Sequence, residues 1–159
     1  MIIRDTPPLH LTYCLNVHKG ETWEENFAAI REKTLAIRDR VAAGKRFGLG
    51  LRLSHQAAQE LQSPRQRKVA REFFEANNLY AFTINGFPYG RFHEGRVKEK
   101  VYQPDWRTTE RRDYTIALGE ILADLLPEGI DGSISTVPCS SRRWFFCSVF
   151  KARDLVEGC

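Results

Sequence analysis

The chain has 159 residues, of which 42% are hydrophobic and 28% charged, and its formal net charge is +4. This balance is ordinary for a folded globular protein and argues against disorder before residue 138. No apolar run approaches the roughly 20 residues of a membrane span, and the amino terminus lacks the apolar stretch of a signal peptide. We therefore expect a cytoplasmic protein without a membrane span.

The four cysteines are unevenly distributed along the chain. Cys14 is the only one before residue 139, and Cys139, Cys147 and Cys159 all lie in the last 21 residues. No Cys-x-x-Cys spacing of a metal knuckle occurs, and a disulfide framework is not indicated for residues 1–138. Free thiols are consistent with a reducing compartment.

Three segments alternate between apolar and polar residues with the period of a β-strand. Residues 9–18 place leucine, tyrosine and valine at the odd positions, and residues 47–54 and 79–85 repeat the pattern. In each segment small or polar residues share one side. We expect three strands, the first running from Leu9 to His18, and a short fourth strand over residues 132–137.

Helical patterns separate these strands. Trp23, Phe27, Ile30, Thr34, Ile37 and Val41 form one face of a first helix that ends near Gly44. A second helix begins after Ser54, is interrupted near Pro64, and resumes with Val69, Phe73 and Phe74. A third spans roughly residues 108–126, with Tyr114, Leu118, Ile121 and Leu125 as its buried stripe.

Alternation of strands and helices predicts an α/β fold with a parallel sheet. We expect a partial (β/α)8 TIM barrel, a half-barrel of about four strands with three to four helices, formed by residues 1–138. A closed barrel of this kind needs roughly 250 residues, more than this chain has. An open doubly wound sheet is the alternative architecture.

Polar residues at the carboxyl ends of the predicted strands are candidate substrate-binding residues. They are Asn16, His18, Arg52 and Asn85. Two roles remain open for Arg52, binding of an anionic ligand or an internal ion pair, because a buried guanidinium needs an acceptor. His18 is a ligand contact or a loop histidine with no role. His10, Cys14 and His18 cannot share one metal ion, because residues four apart on a strand are separated by about 13 Å.

The long connection after residue 85 supplies the other candidate substrate-binding residues. They are Tyr89, Arg91, His93, Lys98 and Trp106. Cations there could hold an anionic group and aromatic rings could stack on a sugar, since long loops at this end of a sheet are often functional. The alternative is a solvated loop surface.

Nucleic acid is not an expected partner. The basic residues of the second helix include Lys68 and Arg71, which lie four residues before Glu72 and Glu75 and are expected to form local ion pairs. The chain also lacks a phosphate-cradling glycine motif. A small-molecule metabolite is the expected partner.

Five separated blocks carry a family resemblance. They are residues 11–23 (LTYCLNVHKGETW), 48–54 (GLGLRLS), 82–90 (FTINGFPYG), 97–107 (VKEKVYQPDWR) and 132–138 (GSISTVP). In order and spacing they resemble the bacterial metabolite traffic protein EboE family. That family is similar to xylose-isomerase-like barrels that handle sugars or sugar phosphates.

The resemblance implies a cytoplasmic barrel that handles a small sugar-like or secondary metabolite, or its precursor, for export toward the periplasm. Its partners would be that metabolite and other proteins of the same export cluster. A divalent metal is implied only for a full-length relative, because relatives in the wider barrel group hold their metal mainly with residues at the ends of later strands. We therefore expect no metal or cofactor here. The alternatives are a metal-dependent sugar or sugar-phosphate isomerase or epimerase, and a non-functional remnant.

The composition changes after Pro138. Residues 139–159 hold three cysteines and the run Arg142-Arg143-Trp144-Phe145-Phe146, without a clear helical or strand period. We expect this atypical tail to be a frameshifted or truncated reading of a longer barrel, and this copy to be inactive. The rival hypothesis is a natural short form that dimerises.

Overall fold

A computed structural model describes residues 1–90 and 102–139 of the chain, which form a mixed α/β structure. The strands are β1 (Ile2–Asp5), β2 (Pro8–His10), β3 (Thr12–Cys14), β4 (Phe47–Arg52), β5 (Leu79–Asn85) and β6 (Ser133–Ser135). The helices are α1 (Trp23–Ala29), α2 (Leu35–Val41), α3 (His55–Glu60), α4 (Pro64–Ala76) and α5 (Thr109–Leu125). None of the helices in these two described ranges is long and apolar enough to cross a membrane.

Strands β3 to β6 form one parallel sheet in the order β3-β4-β5-β6. The predicted succession of four parallel strands joined by helical connections is therefore confirmed. The described residues form an open sheet and not a closed barrel. One irregularity lies in β5, where Leu49 pairs with Ala81 but Gly50 pairs with Thr83. Phe82 is thus the extra residue of a β-bulge.

The core lies between the sheet and the helices. Leu49, Leu51 and Leu53 are fully buried and belong to one cluster with Leu118 and Ile121 of α5. Successive residues of a strand point to opposite faces, so Gly48, Gly50 and Arg52 point away from the leucines. The predicted apolar side of this strand therefore packs on the helices.

The helix ends agree with the capping residues predicted from the sequence. The Ser54 Oγ accepts a hydrogen bond from the backbone N–H of Ala57 at the start of α3 (3.1 Å). Pro64 opens α4 and separates it from α3. Gly44, with a φ of +71°, follows α2 in the left-handed conformation that favours glycine.

The prediction of one strand over residues 9–18 was wrong. The segment divides into β2, which pairs antiparallel with β1, and β3, which pairs parallel with β4; a 3-10 turn at Leu15–Val17 follows. Leu9 and Leu11 are about half exposed. The alternation of apolar and polar residues shows that a strand has two different faces, but it does not show which strand is its pairing partner. It therefore did not reveal that β2 and β3 belong to different sheets.

Two predicted core positions are exposed. The exposed fraction of Val41 is 63%, and Ala42 is buried instead. A π-helical turn at Ile30–Thr34 joins α1 to α2 and inserts extra backbone into the helix, which shifts the buried face of the following turns by about one residue. On α4, Ala70 is buried where Val69 was expected.

The face of the sheet opposite the helices is closely approached by the amino-terminal segment. A Cβ atom added at Gly48 would lie 2.7 Å from the carbonyl oxygen of Leu11 and 2.8 Å from the backbone nitrogen of Met1. These are main-chain atoms, which cannot rotate away as a side chain can. Gly48 therefore allows the β1–β2 hairpin to lie against β4.

We predict that Gly48→Ala destabilises the protein by about 1 to 3 kcal/mol, because the added methyl displaces main chain. Gly119→Ala is the matched control: apart from the local helix backbone, no atom of the described residues lies within 4 Å of a Cβ there, and alanine in a helix should stabilise by about 1 kcal/mol. Urea denaturation measures both changes. A Gly48→Ala variant as stable as the parent chain would contradict the close approach.

Candidate functional site

A cleft of about 670 Å³ opens where the chain leaves the carboxyl ends of β3, β4 and β5. Three segments line it: residues 19–22 with Glu25, residues 54–56, and Tyr89 with Gly90. Ligands of open α/β sheets bind beyond the carboxyl ends of the strands. The volume lies within the range of small-molecule pockets. The cleft is therefore the candidate binding site.

A buried arginine fastens the first lining segment to the end of β4. The side chain of Arg52 is 1% exposed, and its Nη1 donates to the carbonyl oxygen of Gly20 (2.6 Å). Its Nη2 forms an ion pair with the Glu21 carboxylate (2.8 Å). The Ser54 hydroxyl donates to the Glu21 carbonyl oxygen. Of the two roles left open for Arg52, the structure contains the internal ion pair.

Carboxylates of the chain itself occupy the amino terminus of α1. The Glu25 carboxylate accepts from the backbone N–H groups of Glu21 (2.7 Å) and Thr22 (3.2 Å), and the Thr22 hydroxyl accepts from the Glu25 N–H (3.1 Å). The Glu60 carboxylate accepts from the Trp23 N–H (2.7 Å). Negative charge at this end of a helix is favourable because unpaired N–H groups and the helix dipole concentrate there.

An imidazole and a phenol ring form the far wall of the cleft. The rings of His55 and Tyr89 stack with 4.4 Å between centroids and 13° between planes. The backbone N–H of His55 donates a hydrogen bond to the backbone carbonyl oxygen of Tyr89 (2.8 Å). Both residues also line a second pocket of about 300 Å³, together with Ala58 and Tyr114. The stacked pair therefore separates two adjoining pockets.

Arg111 holds the loop that presents Tyr89. Its guanidinium is fully buried and donates to the carbonyl oxygens of Gly86 (2.8 Å) and Pro104 (2.8 Å). It lies 5.7 Å from the centre of the Tyr89 ring, within reach of a cation–π contact. Burial lowers the pKa of Arg111. The ring of Tyr89 is thus positioned by a residue outside the cleft.

Burial lowers the pKa of the His55 imidazole below its ordinary value of 6.5, and it raises the pKa of the Tyr89 phenol. Both groups are therefore neutral near pH 7. A neutral imidazole can accept a hydrogen bond at one ring nitrogen and donate one at the other. Such a group suits a ligand hydroxyl.

Of the nine sequence-predicted site residues, Tyr89 lines the cleft. The Asn85 side-chain oxygen accepts from the Phe87 N–H (3.0 Å) and lies 3.0 Å from the Ser135 hydroxyl, so it shapes the turn after β5. The indole N–H of Trp106 donates to the Val137 carbonyl oxygen (3.1 Å).

Two other predicted residues, Asn16 and His18, are not among the described residues that line the cleft. The His18 Nε2 lies 3.0 Å from the Tyr13 hydroxyl, and burial, with Lys33 nearby, lowers the pKa of His18. Asn16 lies in the 3-10 turn after β3. Arg91, His93 and Lys98 lie outside the described residues.

Sequence reasoning missed most of the residues that line the cleft. They include Lys19, Glu21, Glu25, His55 and Gln56. A usable signal existed, because all of them lie between the end of a strand and the first turn of the next helix, where parallel strands bring loops together. Our prediction followed the strand ends and the long connection after β5 instead of the helix starts.

No group of three or more metal-ligating side chains occurs among the described residues. The chain matches no protein-family model, no curated protein and no solved structure. The family resemblance and the predicted absence of a metal therefore stay predictions.

We predict that His55 titrates below its unfolded-chain pKa of about 6.5. A histidine with a lowered folded pKa binds fewer protons in the native state, so its contribution to stability is present above pH 6.5 and is lost as the pH falls through the folded value. Imidazole proton shifts followed by NMR against pH test this, with the urea-unfolded chain as reference. A folded pKa at or above 6.5 would contradict the burial of His55.

Proposed function

We propose that the chain binds a small hydroxylated metabolite in the cleft and acts as a metabolite-handling protein of the EboE type. The position of the cleft at the carboxyl edge of a parallel sheet is the single observation that carries this proposal. The resemblance of five sequence blocks to the EboE family supports it independently.

The lining supports a ligand rich in hydroxyl groups. Four side chains of the lining have groups that can form hydrogen bonds with ligand hydroxyls. They are the carboxylates of Glu21 and Glu25, the amide of Gln56 and the neutral imidazole of His55. The adjacent ring of Tyr89 offers an apolar surface of the kind that packs on a sugar ring. Few apolar side chains line this cleft, so a polar ligand is favoured.

We also propose that the four-stranded sheet is the amino-terminal half of a (β/α)8 barrel. Parallel strands in chain order, each joined to the next through helices, are the pattern of such a barrel. The cleft then corresponds to the end of the barrel at which ligands bind. In this proposal the protein works in the cytoplasm beside other proteins of an export cluster.

A metal-dependent sugar or sugar-phosphate isomerase is the alternative, and it rests on the resemblance alone. Conversion of a bound sugar would favour this enzyme, whereas binding without conversion favours handling. Incubation of the protein with a bound sugar, followed by NMR of the sugar with and without added Mn²⁺ or Mg²⁺, distinguishes the enzyme from the handling protein.

We predict that a panel of neutral sugars, polyols and their phosphate esters contains a ligand that shifts the backbone amide signals of residues 19–22, 54–56 and 89–90. Tyr89→Ala should weaken the binding of that ligand about twofold to tenfold, because a ring contact contributes about 0.5 to 1.5 kcal/mol. Lys68→Ala is the control, since Lys68 is exposed on α4 and pairs with Glu72. It should bind as the parent chain does.

The proposal would be contradicted if no compound of the panel shifted these signals. It would also be contradicted if a ligand bound equally well to the parent chain and to a folded Tyr89→Ala variant. Proton NMR of the variant confirms folding.

A further inference from the structure

The second pocket, of about 300 Å³, adjoins the cleft and lies between α3 and α5. Four residues from His55 to Gln62 and four from Glu110 to Ala117 line it. In each set the later members follow the first by three, four and seven positions, the spacing of residues that share one side of a helix. The pocket is therefore a groove between one side of α3, with the turn after it, and one side of α5.

This pocket is apolar inside and polar at its rim. Ala58 and Tyr114 are buried, with exposed fractions of 1% and 2%, and Ala117 is half-buried. The Tyr114 hydroxyl donates to the carbonyl oxygen of Leu53, so its hydrogen bond is made within the protein. Four polar lining residues are exposed and form the rim: Gln59, Gln62, Glu110 and Asp113. A group that enters the pocket therefore passes polar side chains and meets methyl groups and an aromatic ring.

Two alanines leave this space open. Ala58 and Ala117 each line the pocket with a single methyl group, where a longer side chain would fill it. An apolar cavity of roughly 150 Å³ is enough to hold benzene, so the pocket between α3 and α5 has room for a ring. Atoms beside an unfilled space lose dispersion contacts on that side. An apolar group placed here gains those contacts and is removed from water at the same time.

From the wall that the two pockets share, and resting on the proposed function, we infer that the ligand carries an apolar substituent, such as a ring, that occupies the second pocket. The hydroxylated part of the ligand lies in the cleft, and the substituent lies against Ala58, Tyr114 and Ala117. His55 and Tyr89 line both pockets, so one molecule can contact both. An aryl glycoside is the simplest compound of this class.

Matched pairs of glycosides test the inference. Each pair consists of the methyl and the phenyl glycoside of glucose, galactose, mannose or xylose, and each compound is titrated into the full chain. Backbone amide signals of residues 19–22 and 54–56 report binding in the cleft, and those of residues 113–117 report the second pocket. For a pair that binds, the phenyl glycoside should bind at least about tenfold more tightly, because roughly 100 Å² of apolar surface leaves water. It should also shift the signals of residues 113–117.

Ala117→Leu assigns the preference to the second pocket. Leucine is a good helix former, and its side chain takes the space that the phenyl ring needs. The preference for the phenyl glycoside should therefore fall by about fivefold or more, while the methyl glycoside binds as before. Ala123→Leu is the matched control, because it makes the same change at an exposed position of α5 that is not among the lining residues of either pocket. It should leave the preference unchanged.

A phenyl glycoside that shifts the cleft signals but binds no more tightly than its methyl partner would overturn the inference and leave the proposed function intact. An unchanged preference in an Ala117→Leu variant that proton NMR shows to be folded would also overturn it, because the ring would then lie elsewhere. If no member of any pair shifts the cleft signals, the inference fails. If the free sugars and polyols also leave those signals unchanged, the proposed function fails with it.

Discussion

The buried guanidinium of Arg52 is the constraint on which the candidate site depends. A charged group at 1% exposure is costly unless its hydrogen bonds are met. The chain meets this requirement by bringing Gly20 and Glu21 over the end of β4. Because those two residues come just before Thr22, which caps α1, the ion pair also holds the start of the first helix against the end of β4. These contacts hold residues 19–22, the start of α1 and the end of β4 together as one wall of the cleft.

The remaining walls follow from neighbouring contacts. Ser54 joins the end of β4 to Glu21 and also caps α3, so α3 begins at the cleft. The first residue of α3 is His55, whose ring stacks on that of Tyr89. Arg111 holds the loop after β5 through its hydrogen bond to the Gly86 carbonyl oxygen. Fixed loops of this kind preorganise a binding site, which lowers the entropic cost of ordering it around a ligand. The same region of the chain also satisfies backbone N–H groups at the starts of α1 and α3.

Local patterns in the sequence predicted the regular elements well, because period-two and helical spacing report burial directly. Segments 47–54 and 79–85, Ser54 as a cap and Pro64 as a helix start all agree with the structure. The division of residues 9–18 was missed because alternation does not reveal which strand is the partner. The site was predicted less well: the partner of Arg52 is 31 residues away in sequence, and no local pattern identifies it. His55 was overlooked because its importance comes from stacking on Tyr89, which is a tertiary contact.

A double-mutant cycle on Arg52 and Glu21 tests the central claim most directly. Unfolding free energies of Arg52→Met, Glu21→Gln and the double variant are measured in urea. If the ion pair holds the wall together, the two changes are coupled by about 1 to 2 kcal/mol, because residues in direct contact do not contribute independently. Effects that add within about 0.5 kcal/mol would contradict the claim, and Arg52 would again be a candidate for binding an anionic ligand.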